Sequence, residues 1–251
     1  MNKVLLLSPR HTPDSQLIWS AAVKNEHYDI YRYKSLTDYH PEWMTRKINQ
    51  GVPVTFYGET LFCRKIAGEL GITLQELPND WLKQLPRELL NRQLQYGSVA
   101  LCEFLKYPCF IKPANDKHFP AQVWESYEQL KPFLPDFDID VLASEPVRWE
   151  VEYRCFVNKG RLVDMSIYMK NHKFADVSDD GNDMEAASFV QGVLAITGVQ
   201  MPTVIDIGKI EGRGWAVVEA NPAWCSGIYN CDPDKVLNVI EDICATVGLS
   251  T

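Results

Sequence analysis

Short apolar runs alternate with amphipathic stretches over the first eighty residues. The runs at 3–8, 28–33 and 52–58 are rich in aliphatic and aromatic residues, which is typical of strands. The stretches at 13–24 and 59–72 carry apolar residues at helical spacing. This alternation of strand and helix predicts a small, mostly parallel α/β unit.

The segment from 78 to 95 separates this unit from the rest of the chain. It is helical in part and is interrupted by Pro86, which disfavours a continuous helix. Beyond residue 96 several strands follow one another directly, so the remainder is predicted to be an α+β unit. Its predicted elements are a helix at 98–107, a strand at 109–115, a short helix at 127–135, a hairpin at 148–170, a helix at 181–198, a second hairpin at 203–221 and a closing helix at 232–248.

The second hairpin carries two acids and an asparagine among its apolar residues. A two-residue loop at 212–213 predicts direct pairing of Asp206 with Glu219, and Asn221 then shares their face. Paired residues have Cβ atoms about 5 Å apart, so two carboxylates there repel each other unless a cation lies between them. Magnesium, which takes oxygen ligands, fits this set best, and the alternative is a solvated face with incidental acids.

The first hairpin, at 148–170, alternates charged and apolar residues along both strands. A three-residue turn at 158–160 sets Arg154 opposite Asp164. The polar side chains, Lys170 among them, then share one face, whereas a shift by one residue would mix the two classes. The alternative is a plain antiparallel sheet with one face in water.

Composition limits the classes of function. The 251 residues carry 33 acidic and 25 basic side chains, a formal net charge of −8, which argues against general nucleic-acid binding but not against a nucleotide held by a few local cations. Seven cysteines form no CxxC motif, so we expect a reducing cytoplasm rather than a disulfide framework. The apolar runs are too short for a membrane span or a signal peptide, so neither is expected.

A lysine strand, a charged hairpin and an acidic hairpin follow one another in an order that resembles the ATP-grasp superfamily. The stretches are FIKPANDK at 110–117, ASEPVRWEVEYRCFV at 143–157 and IDIGKIEGRGWAVVEANP at 205–222. The resemblance implies an α/β, Rossmann-like lobe followed by an α+β ATP-grasp domain whose antiparallel sheets hold Mg-ATP. The implied ranges are 1–80 for the first lobe and 81–251 for the ATP-grasp domain, with a central lobe at about 96–145 and a C-terminal lobe at about 146–251.

The resemblance also implies roles for individual residues. Lys112 matches a lysine that contacts ATP phosphates, and Lys117 would add charge because residues 113–122 lack the glycine-rich loop of many relatives. Arg154 and Lys170 are expected at the γ-phosphate or an acyl phosphate, and the alternative is that each is a structural partner, Arg154 of Asp164. The remaining implied residues are Glu145 and Val147 for adenine, Glu152 for ribose, and Asp206, Glu219 and Asn221 for magnesium.

The resulting hypothesis is an ATP- and Mg²⁺-dependent ligase. ATP phosphorylates a carboxylate, an amine attacks the acyl phosphate, and ADP and phosphate are released. The expected partners are a small-molecule or peptide carboxylate and an amine, with no nucleic acid and no membrane, and a homodimer is left open. The alternatives are a phosphotransferase that stops after phosphoryl transfer and a non-catalytic nucleotide-binding module.

Overall fold

Three β-sheets organise the part of the chain that the structure, a computed structural model, describes: residues 2–114, 118–176 and 183–244. The N-terminal sheet has three strands, the central sheet four and the C-terminal sheet five. Within these ranges no helix is long and apolar enough to cross a membrane.

The N-terminal sheet is parallel and is flanked by helices. It is built from β1 (Lys3–Leu7), α1 (Pro13–Asn25), β2 (Tyr28–Arg32), α2 (Glu42–Asn49), β3 (Val54–Tyr57) and α3 (Thr60–Glu69). The strand order is β2-β1-β3, and the central strand is fully buried from Val4 to Leu7, as expected for a parallel strand covered on both faces. The prediction of a mostly parallel α/β unit is confirmed.

The central sheet is antiparallel, with the order β4-β7-β5-β6, and follows two short helices. These elements are α4 (Trp81–Gln84), α5 (Arg87–Leu90), β4 (Leu94–Ser98), β5 (Cys109–Pro113), β6 (Gln122–Trp124), α6 (Tyr127–Leu130) and β7 (Asp140–Ser144). The predicted helix at 98–107 is wrong, because the segment is a 3₁₀ helix from Val99 to Phe104. Pairing of β4 with β7 occupies the backbone up to Ser98, and Pro108 restricts Tyr107, so little room remains for an α-helix.

The C-terminal sheet is antiparallel, with the order β10-β9-β8-β11-β12. Its elements are β8 (Trp149–Asn158), β9 (Arg161–Lys170), β10 (Lys173–Phe174), α7 (Met184–Thr197), β11 (Thr203–Ile210), β12 (Gly214–Pro222) and α8 (Pro233–Ile240). Buried residues of α7, such as Val190 and Leu194, share a core with Tyr153, Cys155 and Ile207 of the strands. One face of this sheet is therefore closed by a helix, and the charged residues of β8 lie on the other.

The turn between β8 and β9 differs from the prediction. It has two residues, Lys159 and Gly160, at φ of 51° and 69°, which gives a primed turn. Two bulges, at Val163 and Tyr168, then shift the register. Arg154 consequently lies opposite Ser166, and the predicted pairing of Arg154 with Asp164 is wrong.

The turn between β11 and β12 also differs, yet the predicted pairing of Asp206 with Glu219 is confirmed. Three residues rather than two separate the strands, so Ile210 pairs with Gly214. A bulge that leaves Val218 unpaired takes up the extra residue before Glu219 is reached. Two departures from the predicted register therefore cancel at the acidic pair.

Two large apolar cores and one small core hold the sheets together. The first combines the N-terminal sheet with residues of the C-terminal part, including Phe156, Val204, Trp224 and α8. The second lies between α7 and the C-terminal sheet, and the third is a small cluster confined to the central sheet and its flanking segments. The N-terminal and C-terminal parts are therefore joined by a continuous apolar interior.

Candidate functional site

The deepest part of the site is an ion pair between Arg154 of β8 and Asp206 of β11. The two residues pair directly on neighbouring strands and so leave the sheet on one face. Arg154 Nε donates to Asp206 Oδ1 at 3.0 Å, Nη2 donates to Oδ2 at 2.6 Å, and Nη1 donates to the Gly227 carbonyl at 2.9 Å. Asp206 is fully buried, and burial raises its pKa to about 6 although the Arg154 charge lowers it. The arginine is thus fixed in one orientation.

A second ion pair, between Lys112 of β5 and Glu219 of β12, connects the central sheet with the C-terminal sheet. Lys112 Nζ donates to Glu219 Oε2, and Asn221 Nδ2 donates to Oε1 at 2.9 Å. Burial raises the pKa of Glu219, but the Lys112 charge and these hydrogen bonds outweigh it and hold the pKa at about 2. Both side chains keep partial exposure, 20% for Lys112 and 29% for Glu219, so water or a ligand reaches them.

A cavity of about 330 Å³ opens between the central and C-terminal sheets beside this second pair. Five of the predicted site residues line it, namely Lys112, Glu145, Val147, Glu152 and Glu219. Two larger cavities, of about 720 and 710 Å³, lie beside β2 and between Val54 and Gln200, and as far as the described residues show they contain none of the predicted site residues. We therefore place the candidate site at the smaller cavity, where the predicted chemistry converges.

Glu145 lies at the outer end of the cavity and is held by two partners. Its carboxylate accepts from Arg213 Nη1 at 2.8 Å and from the Gln93 backbone N–H at 2.9 Å. The hydrogen bond from Arg213 is the main cause that lowers the pKa of Glu145. This predicted adenine-side residue is therefore ionised and fixed, with Val147 next to it in the cavity wall.

Glu152 lies on β8 between the outer and the deep end of the cavity. The Tyr168 hydroxyl donates to Glu152 Oε2 at 2.8 Å. Burial raises the pKa of Glu152, and the bond from Tyr168 lowers it in part. The carboxylate thus faces the ligand space with one oxygen committed to the protein.

Two further predicted residues do not join this group. Lys170 pairs with Val151, which packs against the core behind the sheet, because the bulge at Tyr168 changes the face that follows it. The prediction that Lys170 shares the cleft with Arg154 is therefore wrong. Lys117 lies outside the residues that the structure describes.

Arg92 and Trp149 line the same cavity and were missed by the sequence interpretation. Arg92 donates to the backbone carbonyls of Val217 at 2.6 Å and Val218 at 2.9 Å, which the bulge in β12 presents. Its guanidinium lies 5.2 Å from the Trp149 ring centre, and burial lowers its pKa to about 10. A Cβ at Gly208 would meet this ring at 2.6 Å, so only glycine there leaves room for Trp149.

Aromatic rings surround Arg154 at the deep end, and these were also missed. Tyr168 and Tyr229 stack with ring centres 4.9 Å apart, and the Arg154 guanidinium lies 4.8 Å from the Tyr229 ring centre. Tyr229 is 39% exposed and has a φ of 49°, a conformation that bulky residues rarely adopt. The positive φ of a tyrosine cannot be read from the sequence, because it is imposed by the loop after β12.

The same loop connects the deep end with the N-terminal sheet. Asp14, at the start of α1, accepts from the Ile228 backbone N–H at 3.3 Å, and the Tyr57 hydroxyl donates to the Ser226 carbonyl at 2.8 Å. Burial raises the pKa of Asp14, while the Ile228 bond lowers it. The ends of β3 and α1 therefore form one wall near Arg154.

The acidic hairpin has donors of the kind that Mg²⁺ prefers. Asp206 and Glu219 are directly paired carboxylates, Asn221 adds an amide, and hard oxygen donors of this kind fit magnesium. Within the described residues no group of three or more His, Cys, Asp or Glu side chains is placed to hold a metal. Each carboxylate is already matched by a basic side chain, Asp206 by Arg154 and Glu219 by Lys112. The set therefore fits a divalent cation that arrives together with an anion.

Comparison with known proteins gives a family and a fold. The model of an ATP-grasp domain family, family 2 of its clade, matches residues 90–239. No match to a curated protein was found.

Three crystal structures illustrate the similarity in fold. N5-carboxyaminoimidazole synthetase from Staphylococcus aureus, complexed with ADP, is 11% identical with a TM-score of 0.56, covering 96% of this chain and 78% of that one. L-amino acid ligase from Bacillus licheniformis is 16% identical with a TM-score of 0.54, covering 88% and 67%. D-alanine–D-alanine ligase from Bacillus anthracis is 11% identical with a TM-score of 0.50, covering 97% of each chain. Such identities show the ATP-grasp fold alone, and because the family model spans more than half of the sequence, the chain belongs to this family of ATP-grasp domains.

Proposed function

We propose that this protein is an ATP- and Mg²⁺-dependent ligase that activates a carboxylate as an acyl phosphate and joins it to an amine, releasing ADP and phosphate. The observation that carries the proposal is the meeting of Lys112 and Glu219, from two different sheets, at the wall of a cavity lined by Glu145, Val147 and Glu152. Cations at the inner end and an aromatic, polar outer end suit a nucleoside polyphosphate. The fold relative complexed with ADP supports the same interpretation.

The nucleoside would occupy the outer end, near Glu145, Val147 and Trp149, with Glu152 at the ribose. Lys112 would donate to phosphate oxygens, and Arg92 would add positive charge to the same wall. Lys117 stays a predicted phosphate contact.

Asp206, Glu219 and Asn221 are the residues proposed to hold Mg²⁺, which when bound would neutralise charge on the phosphate oxygens. The two acids and their partners Arg154 and Lys112 sum to zero charge. Magnesium is therefore expected to bind with the polyphosphate rather than alone.

Arg154 is proposed to stabilise charge on the transferred phosphoryl group and on the acyl phosphate. Its two bonds to Asp206 hold the guanidinium in place before the reaction, so little reorganisation is needed. In the reaction a carboxylate oxygen of the substrate bonds to the γ-phosphorus as the bond to ADP breaks. The amine nitrogen then bonds to the acyl carbon, phosphate leaves, and the amine loses a proton.

We further infer that the N-terminal sheet belongs to a Rossmann-like lobe that lines the acceptor side, with Arg10 and His11 following β1. The division into an N-terminal domain at 1–80 and an ATP-grasp domain at 81–251, a cytoplasmic location and a homodimer stay predictions from the sequence. The acceptors proposed are a small-molecule or peptide carboxylate and an amine.

The proposal is tested by thermal unfolding of the wild type and of Glu219→Gln with increasing Mg-ATP. A ligand at a hundredfold excess over its Kd stabilises the folded state by about 2.7 kcal/mol. The shift should require magnesium and shrink in Glu219→Gln, while Glu128→Gln, the same change on the exposed surface of α6, should behave as the wild type. No shift in the wild type would contradict nucleotide binding.

Product analysis tests the chemistry once a substrate is found by ADP release. ADP and phosphate together with an amide support the ligase. A stable phosphorylated product formed without an amine would favour the phosphotransferase, and AMP with pyrophosphate would contradict the acyl-phosphate route.

A further inference from the structure

The outer end of the cavity contains a histidine that neither the family pattern nor the proposed roles include. His172 lines the cavity together with Val147, Trp149 and Glu152. It belongs to the two-residue turn that joins β9 to β10, where Lys170 pairs with Lys173. The turn therefore brings an exposed imidazole to the rim of the proposed nucleotide site.

The backbone of this turn is unfavourable for the residues that form it. Asn171 and His172 have φ of 49° and 62°, and among the described residues this is the one place where two successive non-glycine residues have positive φ. The comparable turn between β8 and β9 has glycine, Gly160, at its second position. A primed turn favours glycine there, and asparagine tolerates the first position, so histidine at position 172 is the costly choice.

The imidazole also has a defined hydrogen bond. Arg148 Nε donates to His172 Nε2 at 3.3 Å. An imidazole nitrogen that accepts a hydrogen bond carries no proton, so the neutral ring has its proton on Nδ1. His172 therefore has one N–H left to donate to a ligand.

The position of His172 separates it from the phosphate end. Arg148 precedes Arg154 by six residues along the same extended segment, which corresponds to about 20 Å. Lys112, Glu219 and Asp206 all lie near Arg154, whereas His172 lies beside Arg148, Val147 and Trp149. A ligand group that meets His172 is thus distant from the transferred phosphate.

We propose that His172 is a specificity residue that contacts the nucleoside and donates a hydrogen bond to an acceptor on the base or the ribose. The inference rests on the proposed function, because it takes ATP as the ligand of this cavity. It explains why a residue with a costly backbone conformation stands where glycine would fit the turn better.

The test compares His172→Gly with Asn171→Gly, which relieves the same kind of backbone conformation one residue earlier and retains the imidazole. Binding of Mg-ATP, adenosine and inorganic tripolyphosphate is measured by isothermal titration calorimetry on the full chain. His172→Gly should weaken ATP and adenosine alike, by about three- to tenfold for one lost hydrogen bond, and leave tripolyphosphate unchanged. Asn171→Gly should bind all three as the wild type does.

Thermal unfolding without ligand provides the folding control. Both variants should unfold at or above the wild-type temperature, by about 2 °C, because glycine adopts positive φ without steric cost. A lower affinity in a more stable protein then separates ligand contact from misfolding.

Three results would overturn the inference. Unchanged nucleoside affinity in His172→Gly would remove the contact, and an equal loss in both variants would mean that the turn conformation matters and the imidazole does not. A wild type that fails to bind ATP would overturn the proposed function and this inference with it, and that failure is recognisable because it appears before any substitution.

Discussion

The two ion pairs of the cleft look alike in composition but differ in what they connect. Arg154 and Asp206 belong to adjacent strands of one sheet, and the aspartate is fully buried. Lys112 and Glu219 belong to different sheets and remain partly exposed at the cavity wall. The first pair is part of the interior of a sheet, and the second joins two sheets across the space that a ligand would enter.

This difference teaches that charge pairing alone does not define a role. A pair within the sheet, with both carboxylate oxygens committed, fixes one arginine and is costly to break. A pair between sheets, close to solvent, contributes little to stability and can exchange its partner for a ligand phosphate. We therefore expect substitutions in the first pair to affect folding most, and substitutions in the second to affect binding most.

The largest effect is expected for Arg154→Met. The substitution leaves Asp206 buried without its cation and also removes the contacts with Gly227 and Tyr229, so the free energy of unfolding should fall by about 3–5 kcal/mol. Urea denaturation at pH 7 measures this, with an unchanged dependence on denaturant as the sign of two-state unfolding. The double variant Arg154→Met with Asp206→Leu should recover part of the loss, and a single variant as stable as the wild type would contradict the comparison.

An intermediate effect, on binding, is expected for Lys112→Met. Glu219 keeps its hydrogen bond from Asn221 and its partial exposure, so the stability should change by less than about 1 kcal/mol. Mg-ATP affinity should fall by about ten- to a hundredfold, since a hydrogen bond to a charged group contributes roughly 1.5–3 kcal/mol. Calorimetric titration gives the affinity and urea denaturation the stability; a stability loss as large as that of Arg154→Met would show that the two pairs are equivalent.

The smallest effect is expected in the pH dependence of stability, where the two acids should have opposite signs. The folded pKa of Glu219, about 2, lies below the ordinary glutamate value of 4.5, so its contribution is present above pH 4.5 and is lost as the pH falls towards 2. The folded pKa of Asp206, about 6, lies above the ordinary aspartate value of 3.8, so stability is lost as the pH rises from about 4 to about 6.

Urea denaturation at several pH values separates the two contributions. Relative to Glu219→Gln, the wild type should gain stability between about pH 2 and pH 4.5; relative to Asp206→Asn, it should lose stability between about pH 4 and pH 6. Difference profiles with the same sign would contradict the assigned pKa directions.

The acidic pair shows how far the sequence can predict the site. Counting outward from a turn predicted that Asp206 and Glu219 oppose each other, and the structure agrees, although both the turn and the ladder differ from that count. The bulge at Val218 cannot be read from the hairpin itself, because the carbonyl groups around it are satisfied by Arg92, a residue more than a hundred positions earlier. Local pattern identified the pair, and a distant side chain determines the backbone around it.

The partner of Arg154 shows the limit of the same reasoning. Alternation within the hairpin pointed to Asp164 on the following strand, whereas the observed partner is Asp206 on β11, the strand on the other side of β8. A hairpin count considers only the neighbour along the chain, but each central strand has two neighbours. Lys170 fails for a related reason, since a bulge at Tyr168 reverses the face that simple alternation assigns.

The apolar interior shared by the N-terminal and C-terminal parts has a consequence for how this protein can evolve. The family pattern begins at residue 90, but Phe156, Val204 and Trp224 are buried together with residues that precede it, from β1, α1 and α3. A gene fragment encoding only the recognisable part would place these side chains in water, so it should not yield a free-standing module that recombination could pass to another protein. New acceptor preferences in such a chain are expected to arise by substitution in place rather than by exchange of whole lobes.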